Sequence, residues 1–234
     1  MRLDKFLCDL QLGTRSQIKK DIKAGLVTVN ETKAQKPEQQ IDETTDRICY
    51  KGQLCSYEKQ VYYMLYKPAG VVSATEDKRD KTVVALLQAE NRKDLFPIGR
   101  LDKDTEGLLV LTNDGALAHD LLSPRKHVEK EYECHLRDAI TPEQITALEE
   151  GVNIGEKQPT RPAKVIILSE DKITLTITEG KFHQVKRMLQ TVGNEVIYLK
   201  RLRMGNLLLD ETLEKGAYRR LTMEEVQELK TIRN

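Results

Sequence analysis

Leu3, Phe6, Leu7 and Leu10 recur at intervals of three and four, Gly13 interrupts them, and Ile18, Ile22 and Leu26 resume the spacing. That pattern predicts two short amphipathic helices at the start of the chain. Val27 and Val29, with Ile41 beyond them, predict small strands. From Asn30 to Lys59 the composition turns polar, with one proline and few large apolar side chains, which predicts loops and a tether.

From Val61 the pattern alternates. VYYML, GLLVLT, KVIILS and ITLTIT are strand-like runs rich in β-branched and aromatic residues. TVVALLQAE, GALAHDLLSP, TPEQITALEEG and TMEEVQELK carry caps or breakers at their ends and predict short helices. Connections between the strands are often too short for a crossover helix, so a mixed, mainly antiparallel sheet flanked by helices is predicted, an α+β domain. The change of character places a domain boundary between residues 59 and 60, giving a small module with its tether over 1–59 and a larger domain over 60–234.

Composition narrows the partners. Among 234 residues, 38 basic and 37 acidic side chains leave a net charge of +1, so a nucleic-acid partner has to be sought in local patches. No run of 18 apolar residues occurs and no apolar segment follows Met1, so neither a membrane span nor a signal peptide is predicted and a cytoplasmic location is expected. Cys8, Cys49, Cys55 and Cys134 form no C-x-x-C pair and are expected as free thiols.

The densest chemistry lies in GRLDKDTEG, Gly99 to Gly107. Its spaced acids suggest a calcium loop, but the fifth and twelfth positions of such a loop are Glu106 and Asn113, and the intervening residues are strand-like. A charged surface turn explains Lys103, Asp104 and Glu106. Arg100 and Asp102, which flank the apolar Leu101, could form a structural ion pair or do chemistry.

The longer stretch GRLDKDTEGLLVLTNDG resembles the sequence around the catalytic aspartate of pseudouridine synthases, which isomerise a uridine within an RNA chain to its C-glycoside. Tyr66-Lys67-Pro68-Ala69-Gly70 resembles that family's first motif, and EGKFHQVKRMLQTVGN, from Glu179 to Asn194, its third. MRLDKFL and LVTVN at the front resemble an S4 RNA-binding domain. Several separated motifs in the family's order make the resemblance specific, and it is strongest to the RsuA branch, which modifies 16S ribosomal RNA.

The resemblance implies site roles. Asp102 would be the catalytic carboxylate, acting as nucleophile or base at the ribose; Lys186 would pair with it and keep it ionised; Tyr132 would stack on the uracil; Arg100 would position the flipped nucleotide. The reaction gains and loses no electrons, so no cofactor and no metal are expected. From Gly180 to Gly205, Lys181, Lys186, Arg187, Lys200, Arg201 and Arg203 oppose only Glu195, and Lys181, His183, Gln184 and Arg187 within this patch are candidate RNA contacts. In the S4-like part Arg2, Lys5, Arg15, Lys19, Lys20 and Lys23 are further candidates, with Arg15, Lys19 and Lys23 aligned on one face of a helix.

The implied function is isomerisation of a uridine in small-subunit ribosomal RNA. The expected partner is structured ribosomal RNA or an assembling small subunit, met by a monomer. Two alternatives remain at this point, a synthase for large-subunit RNA and a non-catalytic S4-type assembly factor.

Overall fold

The computed structural model describes residues 1–10, 12–43, 45–55, 60–90 and 92–232. Residues 56–59, the end of the predicted tether, lie outside them. The chain divides into two compact units, Met1–Lys59 with Glu90–Arg92, and Gln60–Ala89 with Lys93–Asn234.

In the first unit, helices α1 (Leu3–Asp9) and α2 (Arg15–Lys23) follow the predicted periodicity. They share one core with an antiparallel sheet of order β2-β1-β3-β4, built from β1 (Val27–Val29), β2 (Thr32–Lys33), β3 (Ile48–Tyr50) and β4 (Gln53–Cys55). Thr14 caps α2 by accepting a hydrogen bond from the Gln17 amide at 3.2 Å. Two expectations are corrected here. The polar stretch predicted as loops and tether contains three of the four strands, because strands of two or three residues bring only Ile48 and Tyr50 to the core and leave no readable alternation. Ile41 is buried yet lies outside any strand.

The second unit is a nine-stranded sheet flanked by helices. Its strands are β5 (Tyr62–Lys67), β6 (Phe96–Pro97), β7 (Glu106–Thr112), β8 (Lys130–Leu136), β9 (Lys164–Ser169), β10 (Lys172–Ile177), β11 (Val196–Met204), β12 (Leu207–Leu208) and β13 (Tyr218–Arg220). The order is β13-β5-β7-β11-β8-β10-β9, with β12 on β11 and β6 on β7. Only β7 and β11 pair in parallel, so the sheet is mixed and mainly antiparallel. Helices α3 (Gly115–Leu122), α4 (Pro142–Glu150), α5 (Gln184–Thr191) and α6 (Met223–Lys230) cover it. Asp114, Thr141 and Thr222 cap three of them, the last two through reciprocal capping boxes.

Strand β7 shows why the run LLVLT follows the acidic motif. All seven of its residues are buried. Leu109 and Leu111 join Tyr63 and Leu65 in the core beneath α4 and α5, while Leu108 and Val110 join Met64 and Tyr66 in the core beneath α3 and α6. A strand covered on both faces reads as continuous apolar sequence. At its start Gly107 has φ 105°, and a Cβ there would collide with the backbone of Arg201 on β11. The glycine lets the two parallel strands meet.

The predicted helix TVVALLQAE is instead a 3-10 segment, Val84–Glu90, broken at Leu87 (φ -98°, ψ 23°). Leu87 is the buried residue of the segment and Val83 is buried just before it, so one turn at a time meets the core and the tighter winding lasts only in short pieces. KVIILS is a strand as predicted, but it is the sheet edge, and Ile166, Ile167 and Leu168 are exposed.

Candidate active site

The acidic motif folds into a loop that delivers Asp102 from the start of β7 to a cleft of about 770 Å³. Two side chains and one backbone amide fix that loop from behind. The Ser73 hydroxyl accepts from the Leu101 amide at 3.0 Å and donates to the Leu101 carbonyl at 2.8 Å. Lys67 is fully buried, and its ammonium donates to the carbonyls of Thr105 at 2.8 Å, Pro68 at 3.0 Å and Lys103 at 3.3 Å. Gly70 closes the bracket with its amide on the Lys103 carbonyl at 2.7 Å. The first motif, YKPAG, thus holds the second. Burial lowers the Lys67 pKa to about 8, against the opposing pull of the Asp104, Asp102 and Glu106 carboxylates.

Asp102 faces two cationic or ionisable groups from the third motif. Lys186 Nζ lies 3.5 Å from its Oδ2 and His183 Nε2 lies 3.4 Å from its Oδ1. Lys186 also reaches Asp104 at 2.5 Å, and this hydrogen bond is the foremost reason the Asp104 carboxyl sits below the usual carboxylate range. The two acids of the D-x-D motif therefore share one ammonium. The alternative raised by the sequence, an Arg100–Asp102 ion pair, is not among the contacts of Asp102, and Arg100 is exposed on the cleft wall.

Tyr132 also lines the cleft and is buried, standing opposite Arg201 on β11 and Leu175 on β10. Lys130, two residues earlier on the same face, donates to the Val128 carbonyl at 2.8 Å, and burial, with the Arg201 charge beside it, lowers its pKa to about 8. Arg201 donates through Nε to the Leu108 carbonyl at 2.7 Å, and its buried Nη2 has no protein partner. Lys130 and Ser73 escaped the sequence reading, which had Arg201 only as one charge of the basic patch and Lys67 only as part of the first motif, with no role for either. Lys130 and Arg201 could have been suspected as charges at inward positions of β-strands; nothing in the sequence marks Ser73.

The other candidates are distributed differently. His183 is the N-cap of α5, in the left-handed region at φ 48°. Lys181 Nζ rests on the Gln158 and Pro159 carbonyls at 3.1 and 3.0 Å. Gln184 is buried, accepting from the Lys181 amide at 2.9 Å and donating to Glu179 at 2.8 Å. Arg187 bonds Glu156 and the Phe182 and Ile154 carbonyls. The hydrogen bonds of these three tie the entrance of α5 to its own neighbourhood. In the first unit Arg15, Lys19, Lys20 and Lys23 are exposed, Arg2 pairs with buried Asp4 at 2.8 Å, and Lys5 pairs with Asp9 at 2.6 Å. Among the described residues no three His, Cys, Asp or Glu side chains cluster as a metal site, and no helix is long and apolar enough to cross a membrane.

Comparison with known proteins places this geometry. Residues 61–191 match the RNA pseudouridylate synthase family and residues 1–48 match the S4 domain. The chain is 51% identical over 231 residues to an uncharacterised RNA pseudouridine synthase, YtzG, of Bacillus subtilis, covering 97% of each. It is 43% identical over 227 residues to the ribosomal small subunit pseudouridine synthase A of Vibrio cholerae, covering 97% of this chain and 98% of that one. A crystal structure of a pseudouridylate synthase, 39% identical, superposes with a TM-score of 0.69 over 98% of this chain and 99% of the other. With both family matches, near-complete coverage and the clustering of the three motifs around one cleft, the chain belongs to the RNA pseudouridine synthases, as a member that carries an N-terminal S4 domain.

Proposed function

We propose that this enzyme isomerises a uridine of 16S ribosomal RNA, and that Asp102 is the group that acts on the ribose. The observation that carries the reading is the pinned carboxylate of Asp102 at a nucleoside-sized cleft, within 3.5 Å of Lys186 and facing the same cavity as Tyr132. The choice of small-subunit RNA rests on relatives whose names specify it, aligned over nearly their whole length.

The chemistry follows from the reaction's balance. The N1–C1′ bond breaks, the uracil turns, the C5–C1′ bond forms, the proton leaves C5, and N1 ends protonated. Asp102 assists departure of the uracil by attacking C1′ or by taking the C2′ proton, and both routes need an ionised carboxylate. Lys186 Nζ and His183 Nε2 face that carboxylate at 3.5 and 3.4 Å and hold it toward the cleft. The Tyr132 ring restrains the plane of the detached uracil while leaving rotation in that plane possible. Lys130 and the unpartnered Arg201 Nη2 present donors toward the carbonyl oxygens of the base, in a site where a buried donor without a partner is costly. A stacked uridine cannot reach Asp102, so the nucleotide must be extruded, and Arg100 on the wall is placed to meet its phosphate or the gap it leaves.

The experiment is tritium release from transcribed 16S RNA carrying 5-tritiated uridine, because forming the C5–C1′ bond displaces that hydrogen. Wild type should release one equivalent, Asp102→Asn none, and Lys186→Met should lower kcat by about 100-fold or more, the scale of losing a charge partner of the reacting group. Release by Asp102→Asn would remove the carboxylate from the mechanism, and release from 23S transcripts alone would move the substrate to the large subunit.

A further inference from the structure

Phe182 is an apolar ring that the fold leaves in solvent beside His183, a residue of the site in the left-handed backbone region. It is 73% exposed, lines the mouth of the Asp102 cleft, and stacks on the His183 imidazole at a centroid distance of 3.8 Å and an interplanar angle of 19°. Single exposed hydrophobic side chains are common and need no explanation. This one differs because its position is enforced. His183 takes a left-handed backbone conformation that non-glycine residues avoid, and its Nε2 faces Asp102 at 3.4 Å. Arg187 adds a hydrogen bond to the Phe182 carbonyl at 3.0 Å. The strained turn and that bond fix a two-ring stack with its outer face open.

The occupant follows from the surroundings. The cleft that Phe182 helps to line carries Arg100, Lys103, Lys130, Lys181, Lys186 and Arg201 against Asp102 and Glu179, an excess of cations that suits a polyanion, and the ring itself offers a flat π-face with no donor or acceptor. Extruding a nucleotide leaves the bases next to it without a stacking neighbour, and an aromatic side chain at the cleft mouth replaces what they lose. We infer that Phe182, backed by His183, is the stacking platform for a base adjacent to the flipped uridine. The inference rests on the proposed reading of the cleft and adds the contact outside it. Because Phe182 cannot read hydrogen-bonding edges, the platform accepts any base and favours purines, whose larger faces stack more strongly.

The test compares Phe182→Ala, Phe182→Leu and Phe182→Trp in the full chain, using filter binding of 16S transcripts at several salt concentrations and tritium release from the same RNA. Alanine and leucine should each weaken binding and raise KM by about 5- to 100-fold, the range seen when a base-stacking aromatic is removed. Tryptophan should restore wild-type values, and kcat should change far less than KM. The slope of log affinity against log salt should stay fixed, since no phosphate contact is lost. Leucine matching wild type, or alanine leaving binding unchanged, would overturn the platform, and the latter result is also the one expected if the ring serves a protein partner. If wild type bound RNA with this dependence on Phe182 yet released no tritium, the platform would stand and the catalytic reading would fall. Tritium release unaffected by alanine would do the reverse.

Discussion

The Ser73 hydroxyl grips both backbone polar groups of Leu101, donating to its carbonyl at 2.8 Å and accepting from its amide at 3.0 Å, one residue before Asp102. This bond pair lies in the interior, so removing it strands a buried N–H and a buried C=O. Ser73→Ala should cost about 1–3 kcal/mol of stability, seen as a fall in Tm of about 2–4 °C per kcal/mol. It should also lower kcat about tenfold or more with little change in KM, because the reacting carboxylate loses its placement while the RNA-binding surface is untouched. Steady-state tritium release and a thermal melt on the same preparation check both. A variant that melts lower but keeps its kcat would confine Ser73 to folding.

Lys67 gives a pH signature in which activity and stability move in opposite directions. Its three bonded carbonyls match the three N–H donors of an ammonium, and its folded pKa is lowered by burial from 10.5 to about 8. Above that value the amine holds at most two of the carbonyls, so the Asp102 loop loosens and kcat should fall on an alkaline limb near pH 8. The linkage has the other sign. Between the folded and unfolded pKa values the unfolded chain binds more protons, so the contribution of Lys67 to stability rises with pH across that interval. A pH–rate profile and denaturant melts across the same range check the pair of signs. In Lys67→Met the limb should vanish from a lowered rate, and a limb that persists belongs to another group, with Lys130 the first to test.

How far the sequence reached depends on whether the information was local. Helices α4 and α6 were readable because Thr141 and Thr222 with Gln144 and Glu225 spell capping boxes. Strand β7 was readable because burial on both faces removes polar positions from it. Strand β11 was not, since register shifts between Val196 and Tyr198 and between Arg201 and Arg203 break its alternation, and buried Arg201 counts as polar in any pattern. At the site, Asp102, Tyr132 and Lys186 were named by resemblance, and the structure gathers them around one cleft. How the loop is held in place was invisible even though Lys67 stands in the first motif, because Ser73 acts across 28 positions and Lys67 across 38. A serine or lysine carries no sign of a tertiary bond to a distant carbonyl.

Gly107 supplies a sharper test of the sheet that supports the motif. Its φ of 105° and the absence of space beside the Arg201 backbone exclude a side chain without displacement of β7 or β11. These strands share a short parallel register, Lys200 with Glu106 and Arg201 with Gly107, so a displacement at Gly107 disrupts the whole β7–β11 pairing. Gly107→Ala combines backbone strain with overpacking, each about 1–3 kcal/mol, and should drop Tm by about 4 °C or more or yield insoluble protein. Gly70→Ala is the matched comparison. Its φ is 85° but nothing lies within 4 Å of the added Cβ, so it should cost only the strain. Equal melting temperatures for the two variants would show that the β7–β11 approach tolerates a side chain.

The S4 unit should contribute affinity through phosphate contacts that are separable from catalysis. Arg15, Lys19 and Lys23 stand at successive i, i+4 positions of α2, all exposed, while Ile18 and Ile22 hold the opposite face in the core. If this row lies along an RNA backbone, each cation releases counterions on binding and adds close to one unit to the slope of log affinity against log salt. Replacing all three by alanine keeps a strong helix former at each position, so α2 should persist and the melt should change little. Affinity for 16S transcripts at low salt should fall by more than about tenfold and the slope by about two to three units, converging with wild type at high salt. kcat at saturating RNA should be unchanged, because the row is in the unit that does not hold Asp102. A slope identical to that of wild type would mean that the row is a solvated face and that the RNA is held elsewhere.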